Sequence, residues 1–531
     1  LYFTNSSIYG FYKYYKADDR QAYADVMANI NKRFGDLSLS ANIGGSFTQT
    51  YYDERGFQGG LKDMSNVFSL YNMTTTLDKD TYPIESGYKQ RTNSIFASVE
   101  IGWKSMLYMT LTGRNDWDSA LINTEQSSFF YPSIGLSGVI SEMVKLPKAI
   151  TYLKVRGSFA SVGAPIPKNL SSNKTYEWDP ATSQWKLQTY RPLPKLYPER
   201  TNSWEAGLNA KFFNNSLSLE VTWYKANTRK QTFQVPLSGT AVYATMYAQS
   251  GNIENKGMEF SLGYNKSWGD FSWNSNLTFS FNKNKIVELL DDAVDDEGNH
   301  YSLNEIDKGG IGSAKVILRK GGSMGDMYVT NRLKRDNEGN VYIDKASQNV
   351  KKEDIKNSDE FIHIGSVLPK SNLGFRNDFS YKGISLGFML AARFGGIVIS
   401  PTQAVMDQFG VSKVTALARD NEGVPVNNGK VDPQTYYTEV GGISGLMSNY
   451  VYSATNVRLQ ELSVGYSLPA KWFNNKCNLS LSITGHNLWM IYNKAPFDPE
   501  ATASTGTYYQ GVDYFMQPSL RSWGFNVKIQ F

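Results

Sequence analysis

The chain has 531 residues, of which 41% are hydrophobic and 14% aromatic, and its formal net charge is +5. A charge this small over this length points to no polyanionic partner, so nucleic acid is not expected. No apolar run reaches the roughly 18 residues that a membrane helix needs, and a single cysteine excludes a framework of intrachain disulfides. A polar average still fits a transmembrane β-barrel, whose strands show lipid only every second residue.

Apolar and polar residues alternate in several segments along the chain. In "SIFASVEIGW", Ile95, Val99 and Ile101 would lie on one face of a strand and Ser98 and Glu100 on the other, and the same period recurs in "NSLSLEVTWY", "NSNLTFSFNKN" and "NLSLSIT". A period of two is the signature of a β-strand with two different faces. Segments of about ten residues are long enough to cross a bilayer when tilted, so the pattern predicts membrane-spanning strands. A soluble β-sheet is the alternative.

Short and long connections alternate between these strands. Tight turns are predicted at Phe34–Asp36, Lys104–Ser105, Asn214–Asn215, Gly269–Asp270 and Lys382–Gly383, with slightly longer ones near Glu142–Ala149 and Pro469–Lys476. Long excursions are predicted at Tyr51–Lys89, Gly163–Glu199, Arg229–Gly251, Val287–Lys370, Gly395–Ser453 and Asn493–Leu520. This asymmetry is typical of outer-membrane barrels, with tight turns in the periplasm and long loops outside, and it predicts about fifteen antiparallel strands.

The last strand ends on an aromatic residue. Trp523, Phe525, Val527, Ile529 and Phe531 would lie on one face of "RSWGFNVKIQF". A terminus usually frays unless it is tied down, so we expect pairing on both sides of this strand. We also expect Phe531 to act as a signal for barrel assembly.

Six stretches follow one another along the chain: "LTGRNDWDSAL", "LYPERTNSWEAGLNAKFFNNSLSLEVTWYKANT", "GNIENKGMEFSL", "VRLQELSVGYSLP", "GHNLWM" and "FDPEA". In their sequence and in their order they resemble the SusC/RagA family of TonB-dependent outer-membrane transporters. The resemblance implies an all-β transmembrane barrel of about 22 strands around a plugged lumen. It also implies that residues 1–531 are the C-terminal portion of the barrel, and that the plug, the TonB box and the first strands precede Leu1.

The resemblance also implies a function. We expect TonB-dependent import of oligomeric nutrients across the outer membrane of a Gram-negative bacterium, in particular a member of the Bacteroidota. The expected cargo is a glycan. A peptide importer of the same family and a passive diffusion porin are the alternatives. The expected partners are a SusD-like surface lipoprotein acting as a lid, TonB, outer-membrane lipid and the cargo itself.

Candidate site residues lie near the predicted outer strand ends and in the long loops. Carboxylates accept hydrogen bonds from sugar hydroxyls and aromatic faces stack on sugar rings, which makes ligand-binding candidates of Asp116, Trp117, Glu199, Asp498 and Glu500. Anchoring of loops and packing in an aromatic girdle are the alternative roles. Apolar residues on two long loops give candidates for contact with the lipoprotein, namely Tyr328, Phe361, Tyr436 and Tyr437, with packing within the loops as the alternative.

Motifs for catalysis and metal binding do not occur in the sequence. There is no H-E-x-x-H, no G-x-S-x-G and no Cys/His cluster with metal spacing. The segment Tyr342–Gly365 stands where many members of the resembled family carry D-x-x-G-D-G-x-I-x-x-D-D, but it lacks the glycine turn that a calcium loop needs. We therefore expect no enzymatic activity, no cofactor and no metal site.

Overall fold

Fifteen long antiparallel strands form one sheet in chain order. The computed structural model describes residues 7–74, 81–122, 124, 126–166, 170, 176–179, 184–187, 190–191, 197–236, 245–294, 300–474, 476–506 and 509–531. The strands are β1 (Phe11–Phe34), β2 (Leu37–Gly60), β3 (Tyr82–Trp103), β4 (Leu107–Asp118), β5 (Ser128–Val139), β6 (Ile150–Ala164), β7 (Glu199–Phe212), β8 (Leu217–Pro236), β9 (Thr245–Trp268), β10 (Phe271–Glu288), β11 (Ser371–Tyr381), β12 (Ile384–Phe394), β13 (Asn456–Ser467), β14 (Asn478–Asn493) and β15 (Ser522–Gln530). The expected strand number and antiparallel architecture are confirmed.

The pairing register sorts side chains into an apolar face and a polar face. On β8 and β9, Leu217 lies opposite Tyr264 and Val221 opposite Phe260, whereas Thr222 lies opposite Glu259. The same matching continues across the sheet, because each strand places alternate residues on opposite faces. We call these the apolar face and the polar face. No helix within the described ranges is long and apolar enough to cross a membrane.

All seven short connections lie at one end of the sheet, as the sequence predicts. Five are tight turns, and the other two hold short helices: α1 (Ile140–Met143) between β5 and β6, and a 3-10 turn at Ala470–Phe473 between β13 and β14. Lys104 and Ser105 both have φ above +50°, as the mirror-image turns favoured in hairpins require. The long connections all leave the other end.

Several strands are longer than the apolar alternation predicts. β1, β2 and β9 each have 24 residues, and the register of β1 with β2 is unbroken from Phe11 opposite Gly60 to Phe34 opposite Leu37. The predicted excursions Tyr51–Lys89 and Arg229–Gly251 are therefore partly strand. Alternation is strong only where one face is apolar, but the backbone ladder continues past that zone.

The three long loops after β10, β12 and β14 fold together around one apolar cluster. Val316 and Met327 come from the first loop, Met447 and Tyr450 from the second and Val512 from the third. A backbone hydrogen bond of 2.8 Å from Ile399 to the Gly511 carbonyl joins the second and third loops. We call this cluster the loop core.

Short elements build these and the remaining loops. The helices are α2 (Pro401–Gln408), α3 (Lys413–Asp420) and α4 (Pro433–Val440). The loop strands are Tyr176–Asp179, Gln184–Leu187, Tyr190–Arg191, Leu290–Val294, His300–Leu303, Glu305–Ile311, Ala314–Arg319, Asp326–Val329, Asn331–Leu333, Ile343–Asp344, Asn349–Val350, Lys352–Asp354, Ile362–Ser366, Ile397–Ile399, Val424–Val426, Gly429–Val431 and Val451–Ser453.

The last strand pairs on one side only. β15 follows the register of β14 from His486 opposite Ser522 to Asn478 opposite Gln530, and Phe531 is fully exposed. The expectation of pairing on both sides is not met in this chain, because β1 and β15 are the two edges of the sheet and do not pair with each other.

Candidate ligand-binding site

A cavity on the polar face has a volume of about 740 Å³ and crosses β6 to β11. Its wall combines three carboxylates, one guanidinium and one phenol with small hydroxyl and amide side chains. These lining residues are Arg156, Glu205, Glu220, Thr222, Tyr224, Glu259, Ser261, Thr278, Ser280 and Asn372. We call this cavity the wall cavity.

Arg156 holds one side of the wall cavity in a fixed arrangement. Its Nη2 donates to Glu220 Oε1 at 3.1 Å and to Thr222 Oγ1 at 2.7 Å, so the guanidinium bridges from β6 to β8 across β7. Arg156 and Glu220 are both partly exposed, so their ion pair orients the two groups more than it stabilises the fold.

Two glycines make room for the larger side chains. A Cβ at Gly207 would lie 2.4 Å from Arg156 Nε, and one at Gly257 would lie 2.7 Å from Tyr224 Oη. Arg156 and Tyr224 can therefore lie flat over the neighbouring strands, and the Tyr224 hydroxyl donates to Asn282 Oδ1 at 3.0 Å. The cleared strand surface is the floor of the wall cavity.

The wall cavity can bind a hydroxyl-rich or amide-rich molecule. Glu205 and Glu259 offer acceptor oxygens, Arg156 offers donors, and Tyr224 adds an aromatic ring beside them. Such a set suits recognition by hydrogen bonds and ring contact, and nothing in it resembles a nucleophile with an adjacent base.

Sequence reasoning did not select these residues, although two signals pointed to them. Glu205 and Gly207 belong to the stretch "PERTNSWEAG", which carried the family resemblance. Glu220 and Thr222 were recognisable as the polar partners of the alternating residues of β8. Which polar residues meet across strands follows only from the register.

Asp116 and Trp117 are adjacent on β4 and therefore point to opposite faces. Asp116 is buried on the polar face, accepts a hydrogen bond of 2.7 Å from Arg114 Nε and another from the Tyr131 hydroxyl. Trp117 projects from the apolar face. The two cannot line one site, and the position of Trp117 favours a role in the aromatic girdle.

Glu199 begins β7, at the long-loop end. Its Oε1 accepts a hydrogen bond of 2.8 Å from the Thr232 backbone N–H on β8. The carboxylate thus holds the long-loop ends of β7 and β8 together, which agrees with a role in anchoring a loop. Binding of a ligand by Glu199 stays a prediction.

Asp498 and Glu500 both contact Arg458. Arg458 Nη2 lies 2.9 Å from Asp498 Oδ1 and 3.1 Å from Glu500 Oε2, and the side chains of Arg458 and Asp498 are almost fully buried. Burial, the largest influence, would raise the pKa of the Asp498 carboxyl, but hydrogen bonds from Ser519, the Glu500 backbone N–H and Arg458 together hold it below its usual 3.8. This arrangement favours loop anchoring for both carboxylates.

The candidates for partner contact are packed to different degrees. Tyr328, which the sequence places on an exposed loop, is buried, with the Arg319 guanidinium 4.5 Å from its ring centre and the His363 ring at 5.1 Å. Burial raises the pKa of the Tyr328 hydroxyl.

Tyr436 and Tyr437 lie on α4 and pack partly against a small cluster of Val350, Val440 and Leu446. Phe361 is half-buried at the end of a 3-10 turn. These positions favour packing within the loops, and the contact with a partner stays a prediction.

Among the residues that the structure describes, no group of three or more His, Cys, Asp or Glu is arranged to hold a metal ion. Asp344, in the segment weighed as a calcium loop, accepts hydrogen bonds of 2.8 Å from the backbone N–H and the hydroxyl of Ser347.

One sheet of long antiparallel strands with an apolar and a polar face, tight turns at one end and long loops at the other, defines the class of transmembrane β-barrel proteins. The family described as "TonB dependent receptor-like, beta-barrel" matches residues 1–313. The chain belongs to this family, and its place is therefore the bacterial outer membrane.

Curated relatives and solved structures agree with this assignment. The chain is 26% identical to TonB-dependent receptor P3 of Formosa agariphila over 94% of its length, and 23% identical to TonB-dependent receptor SusC of Bacteroides thetaiotaomicron over 82%. The chain covers 51% and 43% of those two proteins, so it spans about half the length of the curated relatives that it matches.

The RagAB peptide transporter shares the fold. Its TM-score is 0.71 at 19% identity, with 97% of this chain and 55% of that chain covered. The structure of the RagAB peptide importer in its "open-open" state gives a TM-score of 0.73, also at 19% identity and over 97% of this chain, but 54% of that chain.

Proposed function

We propose that this chain forms the transporting barrel wall of a TonB-dependent importer of oligomeric nutrients, and that the nutrient is a glycan. The wall cavity carries this proposal. Its lining combines three carboxylates, the Asn372 amide and several hydroxyls with the ring of Tyr224, a set suited to a molecule with many hydroxyl groups and apolar sugar faces. The role is transport and not catalysis, in keeping with relatives named as TonB-dependent receptors.

A peptide is the second candidate. The observation behind it is the shared fold with the RagAB peptide transporter, although 19% identity leaves cargo open. Glu205 and Glu259 would suit the basic side chains or backbone N–H groups of a peptide. A passive porin is less well supported, because the family to which the chain belongs is that of TonB-dependent receptors.

Binding by the full-length protein in detergent tests the cargo. Calorimetric titration with neutral oligosaccharides should give heat, and Tyr224→Ala or Glu259→Gln should weaken binding about tenfold, since each removes a hydrogen bond or a ring contact. Glu100→Gln is the matched control, because Glu100 is an exposed glutamate of β3 outside the wall cavity. Binding heat with peptides and none with oligosaccharides would show that the cargo is a peptide and would refute the glycan proposal.

A SusD-like lipoprotein is the proposed partner at the long-loop end. The loops after β10 and β12 share the loop core and present a folded surface to such a lid. Four exposed apolar side chains are better placed for contact with a lid than the packed tyrosines. Phe409 and Val411 lie between α2 and α3, and Val414 and Leu417 lie on α3. TonB would act on the remaining part of the complete protein.

A further inference from the structure

Lysine and aromatic side chains form repeated pairs at the tight-turn end of the sheet. In each pair the lysine Nζ lies between 5.2 and 5.8 Å from the centre of an aromatic ring, a distance at which a cation is attracted to the ring. The pairs are Lys32 with Phe34 at 5.8 Å, Lys104 with Trp103 at 5.2 Å, Lys266 with Trp268 at 5.5 Å and Lys382 with Tyr381 at 5.4 Å.

The aromatic members of these pairs lie on the apolar face. Phe34 is 57% exposed, Trp103 44%, Trp268 46% and Tyr381 50%, although rings of this size are normally covered. The pairs belong to four different hairpins, so they form an arc along the edge of the apolar face. We call this arc the lysine rim.

Positive charge dominates the lysine rim and the neighbouring connections. The short connections and the adjoining apolar-face positions hold eight lysines: Lys32, Lys104, Lys145, Lys148, Lys266, Lys382, Lys471 and Lys476. Only three acidic residues lie in the same connections. Asp36 lies 3.5 Å from Lys104 and Asp270 3.9 Å from Lys382, and both pairs are largely exposed, so they are weak and leave an excess of positive charge.

An apolar groove begins beside the lysine rim. It has a volume of about 710 Å³ and is lined by Ile101, Trp103, Leu107, Met109, Leu136 and Val155, together with Ile140 and Met143 of α1. Gly138 and Gly157 line it too and leave the space open where side chains would otherwise stand. The groove therefore runs along the apolar face from Trp103, whose neighbour Lys104 belongs to the rim.

We infer that the lysine rim binds anionic glycerophospholipids, and that beside Lys104 one such lipid places its phosphate on the lysine and one acyl chain in the groove. The apolar face of an outer-membrane barrel faces lipid, so an alkyl chain is the molecule available to fill a groove there. Aromatic rings sit at the headgroup boundary, and lysines beside them extend their ammonium groups to the phosphates. The tight turns of such barrels are periplasmic, which places this site in the leaflet built of glycerophospholipids.

An acidic protein segment fits these observations less well. It would need lysines free of the hydrocarbon boundary, whereas each rim lysine lies against a ring on the lipid-facing side. The inference is independent of the cargo, because it uses no residue of the wall cavity.

Lipid retention by the full-length protein tests the lysines. The protein is exchanged into nanodiscs of phosphatidylglycerol and phosphatidylcholine in equal amounts, and bound lipids are counted by native mass spectrometry after mild detergent extraction. Wild type should retain phosphatidylglycerol in excess. The fourfold variant Lys32→Gln, Lys104→Gln, Lys266→Gln and Lys382→Gln should lose about tenfold or more of that preference, since each lysine near an anionic surface contributes to binding.

A second variant tests the groove without changing any charge. Gly157 has an extended backbone, and a Cβ there would approach nothing closer than 3.8 Å, so Gly157→Leu fills the groove without strain. It should halve or abolish the tightly retained lipid. Ala97→Leu is the matched control, because Ala97 is exposed on the apolar face and does not line the groove.

Both tests can overturn the inference. Equal retention of the two lipids by wild type, or retention unchanged in both variants, would refute it. In a further set of nanodiscs that also contain lipid A, preferential retention of lipid A over phosphatidylglycerol would also refute it, because the site would then belong to the other leaflet. Folding of each variant is verified separately by heat-modifiable migration on gels.

Discussion

Arg458 on β13 donates two hydrogen bonds to Asp498 in the loop before β15, from Nη2 to Oδ1 at 2.9 Å and from Nη1 to Oδ2 at 3.2 Å. The side chains are only 8% and 9% exposed. This pair joins the loop between β14 and β15 to β13, which is next to β14 in the sheet and two strands from β15. Ser519 and the Glu500 backbone N–H also donate to Asp498, so the carboxylate has partners on both sides.

Removal of the guanidinium should release this loop. Arg458→Gln leaves Asp498 as a buried carboxylate without its cation, which typically costs about 3–5 kcal/mol. We expect faster proteolysis between residues 494 and 520 in the full-length protein. Arg332→Gln is the matched control: it breaks an exposed pair with Glu353, so proteolysis of its own loop should change little. Equal protease resistance of the Arg458 variant and wild type would contradict this role.

The same pair should respond to acid. The pKa of Asp498 is held below its usual 3.8, so the folded loop binds fewer protons than the unfolded loop. Its stabilisation is complete above about pH 3.8 and is lost as the pH falls through the lower, folded-state pKa. Hydrogen exchange at residues 494–520 should therefore accelerate below that pH in wild type. In Asp498→Asn the step should disappear, and a step that persists would assign the acid response to another group.

Loss of the terminal aromatic should impair assembly. Phe531→Ser and deletion of Phe531 should lower the amount of folded barrel in the outer membrane, measured by heat-modifiable migration. The reason is that Phe531 directly follows β15, continues the alternation of its apolar face and is fully exposed, so packing within this chain does not account for an aromatic residue there. Gln530→Ser, one residue earlier and on the other face, is the control. Unchanged folded yield in both Phe531 variants would refute the prediction.

Thiol labelling should reveal the orientation of the barrel in intact cells. A cysteine at Asp270, in a tight turn, should be shielded from an impermeant reagent, whereas cysteines at Gly429 or Thr505, in long loops, should react. Gly383 is unsuitable, because its φ of +89° and a Cβ only 2.7 Å from the Ser467 carbonyl would strain any other residue. The native Cys477 should stay unreactive. The opposite pattern would reverse the orientation.

Contact with a lid lipoprotein should depend on the exposed side of α3. Val414→Asp with Leu417→Asp should reduce co-purification of the lipoprotein at least about tenfold, because charges would replace apolar contacts. Both residues are about half exposed, so the fold should tolerate the change. Lys430→Gln, on a neighbouring hairpin, is the control. Recovery of the lipoprotein with the double variant at wild-type levels would show that the lid contacts other surfaces.

The strand number and the two kinds of connection could be predicted from the sequence because both depend on local patterns. Apolar alternation predicts β3, β8 and β14, and breaks in that alternation predict the turns between strands. At two of these breaks, Lys104 and Asn214 adopt the left-handed backbone of a tight turn. The far ends of β1 and β2 could not be predicted, since "TYYDERG" has no apolar alternation although its backbone continues the pairing with β1.

The candidate site was harder to predict, because it depends on residues distant in sequence. Arg156 reaches Glu220 and Thr222 over a third strand, which only the register of β6, β7 and β8 reveals. Exposure in the loops was also misjudged: Tyr328 follows glycines and charged residues in sequence, yet the packing of its small four-stranded sheet buries it.

The shared loop core has a mechanical consequence. Val316, Met447 and Val512 come from three successive long loops, yet they are buried against one another in one cluster. None of these loops can swing away alone without opening apolar surface on the other two. The loop core thus connects the long-loop ends of the strands from β10 to β15. Any opening at this end should move the three loops together as a single lobe.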